Sequence, residues 1–285
     1  MPRATIAALN VYPVKSCRGI RLDEARVAAR GLVAATPSTG AGDREWMIIG
    51  LDGGFVTQRD NPRLAQIGTR IVHDTLVLSA AGVAPIAVAI EPRGGTVREV
   101  TVWNSSVPAR DEGDAAAAWL SSLLGTDLRL VRFDPAHRRR CSPAFAGDSG
   151  AHTAFADGYP LLVIAEASLA DLNRRLAVKG VPQLPMNRFR PNLVLAGLAP
   201  YDEDHIDTLV ADGVTLKLVK PCTRCQITTT DQDSGRVGHE PLATLAEYRM
   251  DERLGGVTFG MNAIVVAGEG RALSVGAGIV AEFAF

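Results

Sequence analysis

The chain has 285 residues, of which 47% are hydrophobic and 21% are charged. A chain of this length and composition can bury a substantial core without disulfides, and it has room for one large domain or two modest ones. The 30 basic and 31 acidic side chains nearly cancel, which argues against a nucleic-acid-binding protein or one held to an anionic membrane by its overall charge. Any anion site must therefore be local.

The first residues contain no uninterrupted apolar core of signal-peptide length. No segment approaches the roughly 20 apolar residues that span a bilayer, so we expect no membrane span. Four cysteines in a chain this long do not make a disulfide scaffold. We therefore expect a cytoplasmic protein whose thiols are free for metal or redox chemistry.

Short β-branched runs separated by Gly and Asp turns dominate the first hundred residues and predict an all-β unit. The predicted strands are residues 5–12, 20–28, 46–51, 54–58, 75–80, 86–90 and 97–103. Asp52-Gly53 is a hairpin signal because both residues accept positive φ. An amphipathic helix over 114–124, with Asp114 as N-cap and Gly125 as its stop, ends this unit.

The second half predicts strands with a few helices packed on them, which is an α+β pattern rather than a repeating βαβ one. One helix begins at Ser168, where Asp171 completes an approximate capping box, and ends at Gly180. The predicted strands are 193–196, 214–219, 226–230, 257–267, 272–275 and 279–283, with a short helix at 242–248. The stretches 138–140 and 147–150 read as a surface connection between the halves.

The segment 220–230 carries two cysteines, Cys222 and Cys225, on a predicted loop that a proline separates from the preceding strand. The neighbouring cations Lys220 and Arg224 favour the thiolate form. A thiolate binds soft metals and attacks electrophiles, so this loop is a candidate metal or redox site.

Three other interpretations of the two cysteines remain open. Isolated free cysteines are most often small core residues. A zinc site would need a second pair of ligands, whereas the five histidines are scattered singly. A thioredoxin-type dithiol would lie at a helix N-terminus, but a β-branched run follows Cys225.

Two further loops are candidate anion sites. The segment 12–19 offers Lys15 as a point charge, Ser16 as a donor and Gly19 for close backbone approach. The segment 187–192 offers Arg190 for bidentate phosphate binding and Asn192 for pairing with a heterocycle edge. By itself, each segment is equally compatible with a solvated turn.

Taken together and in this order, these segments resemble the MOSC family, which includes amidoxime-reducing proteins, bacterial reductases of N-hydroxylated bases and the C-terminal domain of molybdenum cofactor sulfurase. The matching segments span nearly the whole chain. They are Tyr12-Pro13-Val14-Lys15-Ser16, Gly31-Leu32 with Asp43-Arg44, Glu166-Ala167-Ser168-Leu169-Ala170-Asp171-Leu172-Asn173, Phe189-Arg190-Pro191-Asn192, Cys222-Thr223-Arg224-Cys225 and Phe259-Gly260-Met261-Asn262.

The resemblance implies a β-rich α+β fold, with an N-terminal MOSC β-barrel domain over 1–130, a MOSC β-barrel domain over 131–285 and a pterin-bound molybdenum between them. It also implies that Cys225 is the metal ligand and catalytic centre, a choice that the residues alone leave open. The positions implied to line the cofactor or its phosphate are Lys15, Ser16, Arg44, Arg190, Asn192, Thr223, Arg224 and Cys225.

By this resemblance the protein is a molybdenum-dependent oxidoreductase that reduces N-hydroxylated small molecules. Its electrons would come from a separate ferredoxin-like or flavin protein, since no ferredoxin-like module follows the last predicted strand. The alternative is a carrier of persulfide sulfur or of the cofactor. No pyridoxal-phosphate domain precedes the chain, so we expect no pyridoxal phosphate. Residues 33–42 resemble an insertion, which we expect at the edge of the cofactor site.

Overall fold

The computed structural model describes residues 4–36, 39–91 and 94–284. It confirms the predicted β-rich fold. In the first half, the helix α1 spans Asp114–Leu124 and a 3-10 helix spans Pro62–Gln66. The strands of this half are β1 (Ala4–Val11), β2 (Ile20–Leu22), β3 (Glu24–Ala28), β4 (Gly31–Ala35), β5 (Gly40–Gly42), β6 (Trp46–Gly50), β7 (Gly68–Val72), β8 (Thr75–Ala80), β9 (Val83–Ala89), β10 (Val97–Val102), β11 (Ser105–Asp111) and β12 (Leu128–Phe133).

The second half adds ten strands and three helices within the described residues. The helices are α2 (Pro143–Ala146), α3 (Glu166–Val178) and α4 (Leu242–Ala246), with 3-10 helices at Met186–Arg188, Asp202–His205 and Gln226–Thr229. The strands are β13 (Arg139–Arg140), β14 (His152–Thr153), β15 (Leu161–Ala165), β16 (Leu193–Ala196), β17 (Ile206–Ala211), β18 (Val214–Thr223), β19 (Met250–Asp251), β20 (Gly256–Ala267), β21 (Ala272–Ser274) and β22 (Gly278–Phe283).

Seven strands close a barrel in the order β15-β16-β1-β22-β17-β18-β20, and β20 pairs back with β15. The strand β1 thus joins a barrel whose other members come from the second half of the chain. Buried side chains of β1, such as Ile6 and Leu9, fill the barrel together with Leu195 and Leu216. Helices α3 and α4 cover one side through a second apolar cluster that includes Leu172 and Leu245.

Apart from β2, which pairs with β1, the remaining strands of the first half form three smaller sheets. Their orders are β10-β11-β12-β6, β5-β4-β3-β21 and β7-β8-β9. Helix α1 packs Leu120 against the cluster that contains Trp46 and Ile48 of β6. Strand β21 of the second half pairs with β3, and β1 of the first half belongs to the barrel. Each half of the chain therefore contributes a strand to a sheet of the other half. The predicted division near residue 130 stays a prediction.

The elements broadly follow the sequence pattern, with corrections at their ends. Helix α1 has the predicted bounds, but its N-cap is Gly113 rather than Asp114. Helix α3 begins at Glu166, two residues before the predicted N-cap, and ends at Val178. The Ser168 hydroxyl does not cap it, because that group donates to Glu203 at 2.7 Å inside the core.

Two predicted strands are wrong. Residues 54–58 form isolated bridges rather than a strand, although Gly53 takes the predicted positive φ at the turn before them. Residues 226–229 form a 3-10 helix. Thr228 and Thr229 of this β-branched run are buried, and burial of a short run does not distinguish a strand from a helical turn.

Among the described residues, no helix is both long enough and apolar enough to cross a lipid bilayer. The predicted cytoplasmic location stays a prediction.

Candidate functional site

A cavity of about 570 Å³ contains both cysteines of the 220–230 segment, and we call it the thiol cavity. All eight residues that the resemblance assigned to the cofactor line it. Its walls are formed by Lys15, Ser16, Arg44, Thr57, Arg59, Trp103, Ala156, Asp157, Gly158, Tyr159, Leu161, Leu162, Phe189, Arg190, Asn192, Lys220, Cys222, Thr223, Arg224, Cys225, Ile227, Thr228, Leu254, Gly255, Gly256 and Asn262.

A larger groove of about 980 Å³ lies between β1 and α3. No cysteine lines it, and its Arg174 is already paired with Asp171 at 2.8 Å. We therefore place the candidate site in the smaller thiol cavity, where reactive and charged groups meet.

Backbone hydrogen bonds hold the first two loops of the cavity together. The loop after β1 accepts from the segment before β6, with Arg44 N–H donating to Tyr12 O at 2.7 Å and Trp46 N–H donating to Pro13 O at 2.9 Å. In return, Lys15 N–H donates to Trp46 O at 2.8 Å. This exchange brings residues that are about thirty positions apart in the chain to one wall.

Backbone strain is concentrated at the cavity. Among the described residues, seven non-glycine residues have positive φ, and four of these line the cavity. The four are Ser16, Arg44, Trp103 and Arg190, with φ values of 68°, 47°, 53° and 57°. Such conformations cost of order 1 kcal/mol or more each and persist where the surrounding structure imposes them, which is typical of functional sites.

The cavity is strongly positive although the whole chain carries a formal charge of −1. Its lining contains six cationic side chains and a single carboxylate. That carboxylate, Asp157, accepts from Lys15 Nζ at 2.6 Å. Arg44 is paired with Asp43 at 2.5 Å. Neither Arg190 nor Arg224 has a carboxylate partner among the described residues.

The Tyr12 ring packs against two arginines that line the cavity. The guanidinium carbons of Arg44 and Arg190 each lie 4.3 Å from its ring centroid. Its hydroxyl donates to Pro191 O at 3.2 Å, and burial raises its pKa to about 12. Gly19 does not line the cavity: a Cβ there would lie 2.4 Å from the Tyr12 ring. The glycine therefore makes room for this ring rather than for a phosphate.

Arg190 is a buried cation whose charge the protein leaves uncompensated. Its side chain is 8% exposed and its Nη2 is buried without a hydrogen-bond partner. Burial and the neighbouring Arg44 lower its pKa to about 10. The Nε of Arg224 is also buried without a partner. Unpaired buried guanidinium groups are costly unless an anion binds them.

Asn192 lies in the cavity wall, but protein groups occupy its amide. Its Nδ2 donates to Asn10 O at 3.1 Å and to Asp43 Oδ1 at 2.9 Å, while its Oδ1 accepts from Leu162 N–H at 3.1 Å. Arg44 Nη1 also donates to this oxygen at 3.2 Å. We therefore assign Asn192 to holding Arg44 in place rather than to pairing with a heterocycle.

Burial separates the four cysteines into two kinds. Cys17 and Cys141 are buried, and burial raises their pKa values to about 12 and about 11. Cys222 and Cys225 are half-buried and line the cavity. The two thiols that can meet a ligand are thus the pair that the sequence indicated.

The surroundings of the two cavity thiols differ. Arg224 Nη1 lies 2.9 Å from Cys222 Sγ, and Cys222 also packs against the apolar cluster under α3 and α4. The Cys225 sulfur has no hydrogen-bond partner among the described residues. The structure therefore favours Cys225 as the sulfur available to a ligand, a choice that spacing alone left open.

Sequence reasoning missed several residues of the cavity. Arg59, Trp103 and Asp157 line it, but none was singled out, because Trp103 ended a predicted strand and the other two lay outside the candidate loops. The stretch 33–42, expected at the edge of the site, instead forms the β4–β5 hairpin. None of its described residues lines the cavity, and residues 37–38 lie outside the described part of the chain.

Comparison with protein families identifies the two halves of the chain. Residues 3–127 match the MOSC N-terminal beta barrel domain and residues 150–280 match the MOSC domain. The chain belongs to the MOSC family. These two matched regions lie within the predicted units 1–130 and 131–285.

Several curated relatives match most of the chain. The chain is 40% identical to mitochondrial amidoxime-reducing component 1 of Homo sapiens and 36% identical to mitochondrial amidoxime reducing component 2 of Bos taurus. Each match covers 86% of this chain and 72% of the relative. It is also 32% identical to the molybdenum cofactor sulfurase of Oryza sativa subsp. japonica, over 90% of this chain and 32% of that protein.

The residues of the thiol cavity fit a molybdenum cofactor of the kind that the MOSC family implies. The cofactor's phosphate needs donors without other partners, which Arg190 Nη2 and Arg224 Nε supply. The metal needs a soft ligand, which the free sulfur of Cys225 supplies. Within the described residues, no group of three or more His, Cys, Asp or Glu side chains is arranged to hold a metal ion without such a cofactor.

Proposed function

We propose that this MOSC protein is a molybdenum-cofactor-dependent reductase of N-hydroxylated compounds, such as amidoximes and hydroxylamines. The observation that carries the proposal is the pairing, in one cavity, of an accessible thiol with a buried, unneutralised guanidinium. Cys225 would ligate the metal, and Arg190 would bind the phosphate of the pterin. The names of the amidoxime-reducing relatives support the reaction class.

The chain's own residues would bind and orient the cofactor. Arg190 and Arg224 offer buried N–H groups that no protein atom accepts. The Ser16 hydroxyl has no protein partner among the described residues, and one of the three ammonium hydrogens of Lys15 remains after its bonds to Phe155 O and Asp157. Arg44 would act through its charge, because Asp43 and Asn192 hold its guanidinium. Thr223 lies exposed at the edge of the cavity and would add a hydroxyl donor.

When bound, the cofactor supplies a centre that exchanges two electrons. The overall reaction is R–NH–OH + 2 e⁻ + 2 H⁺ → R–NH₂ + H₂O, in which the N–O bond breaks and its oxygen leaves as water. The electrons would come from a separate ferredoxin-like or flavin protein. The substrate would enter at the side where Cys225 and the exposed Thr223 face the cavity.

The test is metal and pterin content, followed by activity. The protein is purified from cells that make the cofactor, and bound molybdenum is measured by elemental analysis. We expect about one molybdenum per chain in the wild type and almost none in Cys225→Ala. Reduction of benzamidoxime by a chemical electron donor should be lost together with the metal.

The matched control is Cys222→Ala, which removes the other thiol of the cavity. We expect it to keep the metal, although with lower occupancy because Arg224 loses its contact with sulfur. Metal loss in Cys222→Ala with normal content in Cys225→Ala would show that the wrong sulfur was assigned. A metal-free, pterin-free wild type bearing a persulfide on Cys225 would favour the sulfur carrier instead.

A further inference from the structure

Trp103 is held at the cavity in an unusual way. It occupies the first position of the two-residue turn between β10 and β11 with φ of 53°. Glycine is the favoured residue where such a turn requires positive φ. The indole nevertheless remains 43% exposed and lines the thiol cavity. A bulky aromatic residue in a backbone conformation that favours glycine indicates a functional role for the indole ring.

Polar and aromatic contacts fix the orientation of this ring. Trp103 Nε1 donates to Asp157 Oδ1 at 3.0 Å, the same oxygen that accepts from Lys15. Its ring centroid lies 5.3 Å from that of Phe55. The ring is thus connected through a single carboxylate to Lys15, a residue of the proposed cofactor site.

Arg59 lies beside the indole and has no acidic partner. Its guanidinium carbon is 4.6 Å from the Trp103 ring. Its Nε donates weakly to the Thr57 hydroxyl at 3.3 Å, and it makes no ion pair among the described residues. Arg59 is half-buried and lines the cavity. Its cation and the flat indole of Trp103 are therefore presented to the cavity side by side.

The charges of the cavity leave Arg59 unused by the proposed cofactor. Asp157 and Asp43 neutralise Lys15 and Arg44. A cofactor phosphate, with about two negative charges at neutral pH, would be matched by Arg190 and Arg224, and the remaining cation of the lining, Lys220, lies 4.9 Å from the Phe145 ring centroid. Arg59 comes instead from the loop before the 3-10 helix Pro62–Gln66 and lies against the indole in the wall of the same cavity.

We propose that Arg59 and Trp103 form a recognition site for the planar, anionic part of the substrate. The inference rests on the proposed function: the N-hydroxylated group would point toward Cys225, an aromatic part would stack on Trp103, and a carboxylate or phosphate would bind Arg59. Guanidinium groups bind such anions through paired N–H donors, and indole faces stack on flat rings. The protein thereby prefers acidic, aromatic N-hydroxylated compounds over neutral ones.

The test measures binding without turnover, using two compounds that differ by one charge. Benzamidoxime and 4-carboxybenzamidoxime are titrated by calorimetry into the cofactor-loaded protein with no reductant present, so neither compound is consumed. We expect 4-carboxybenzamidoxime to bind about tenfold more tightly, the effect of one hydrogen-bonded charge. Arg59→Gln should abolish this difference, while benzamidoxime binds within twofold of the wild type.

Two further variants complete the experiment. Arg63→Gln removes an exposed arginine of the same loop region that does not line the cavity, and it should keep the tenfold preference. Trp103→Gly suits the positive φ of the turn, so it should fold, and it should weaken both compounds by about fivefold through lost stacking.

Equal affinity of the wild type for the two compounds would overturn the proposal. So would a preference that survives in Arg59→Gln, or unchanged binding in Trp103→Gly. Adding a reductant then tests the proposed function separately. If neither compound is reduced although the charge preference is present, the reaction is wrong and the recognition site stands.

Discussion

Replacing Arg190 with methionine should stabilise the cofactor-free protein while it weakens cofactor binding. Arg190 is buried beside Arg44, with one guanidinium nitrogen that has no partner. Methionine has a similar length and no charge, so it removes the uncompensated cation with little loss of packing. A purely structural arginine would show the opposite effect on stability.

The size of the effect follows from the pKa of Arg190, which burial and Arg44 lower to about 10. An unperturbed arginine side chain loses its proton only above pH ~12. Because one pKa unit corresponds to about 1.36 kcal/mol, burying the charge of Arg190 costs roughly 3 kcal/mol. The lost contact with Tyr12 offsets part of this. We expect a net gain of about 1 to 2 kcal/mol in the free energy of unfolding, or roughly 2 to 3 °C in Tm.

The destabilisation caused by the Arg190 charge depends on pH in one direction. Below pH about 10 both the folded and the unfolded protein hold this proton, and the full penalty is present. Above that pH the folded state releases the proton before the unfolded chain does, so this penalty falls as pH rises.

The assay is thermal and urea unfolding of protein made in cells that lack the cofactor pathway. Arg188→Met is the matched control, because Arg188 is equally buried but paired with Asp231 at 3.0 Å. It should be less stable than the wild type. In cells that make the cofactor, Arg190→Met should retain less than about a tenth of the wild-type molybdenum. If Arg190→Met destabilised the empty protein as much as Arg188→Met, the reasoning about an unneutralised charge would be refuted.

Two further predictions concern the barrel. Burial raises the pKa of Glu203 to about 7, so the folded state retains a proton that the unfolded chain releases, and stability falls as pH rises from about 4.5 to 7. Glu203→Gln should flatten this trend in urea midpoints measured across that range; an unchanged slope would assign it to other groups. Gly260→Ala should destabilise by more than about 2 kcal/mol, because its φ is +76° and a Cβ would lie 2.8 Å from Val163 O. Gly82→Ala is the control, because Gly82 has φ of +80° and no atom within 4 Å of the added Cβ, so its Tm loss measures the cost of the backbone conformation alone. An equal Tm loss in the two variants would contradict a steric clash at Gly260.

The motifs indicated several residues that share the thiol cavity, but they did not indicate what each side chain does there. Lys15, Arg190 and Cys225 were indicated from their loops, and all three reach the same cavity. Asn192 was expected to face a ligand and instead holds Arg44. The difference depends on which hydrogen-bond partners the fold supplies, and a linear sequence does not contain that information.

Local patterns along the chain were enough to specify the many strands, the bounds of α1 and the loops that carry thiols and cations, because periodicity and turn chemistry depend on neighbouring residues. Long-range packing places β1 in a barrel whose other strands come from the second half, and it makes residues 226–229 a 3-10 helix rather than a strand. It also decided that Asp157 neutralises Lys15 while Arg190 stays unpaired. These outcomes depend on contacts between residues that are far apart in the chain, and the free energy of a buried charge depends on such contacts rather than on its neighbours in sequence.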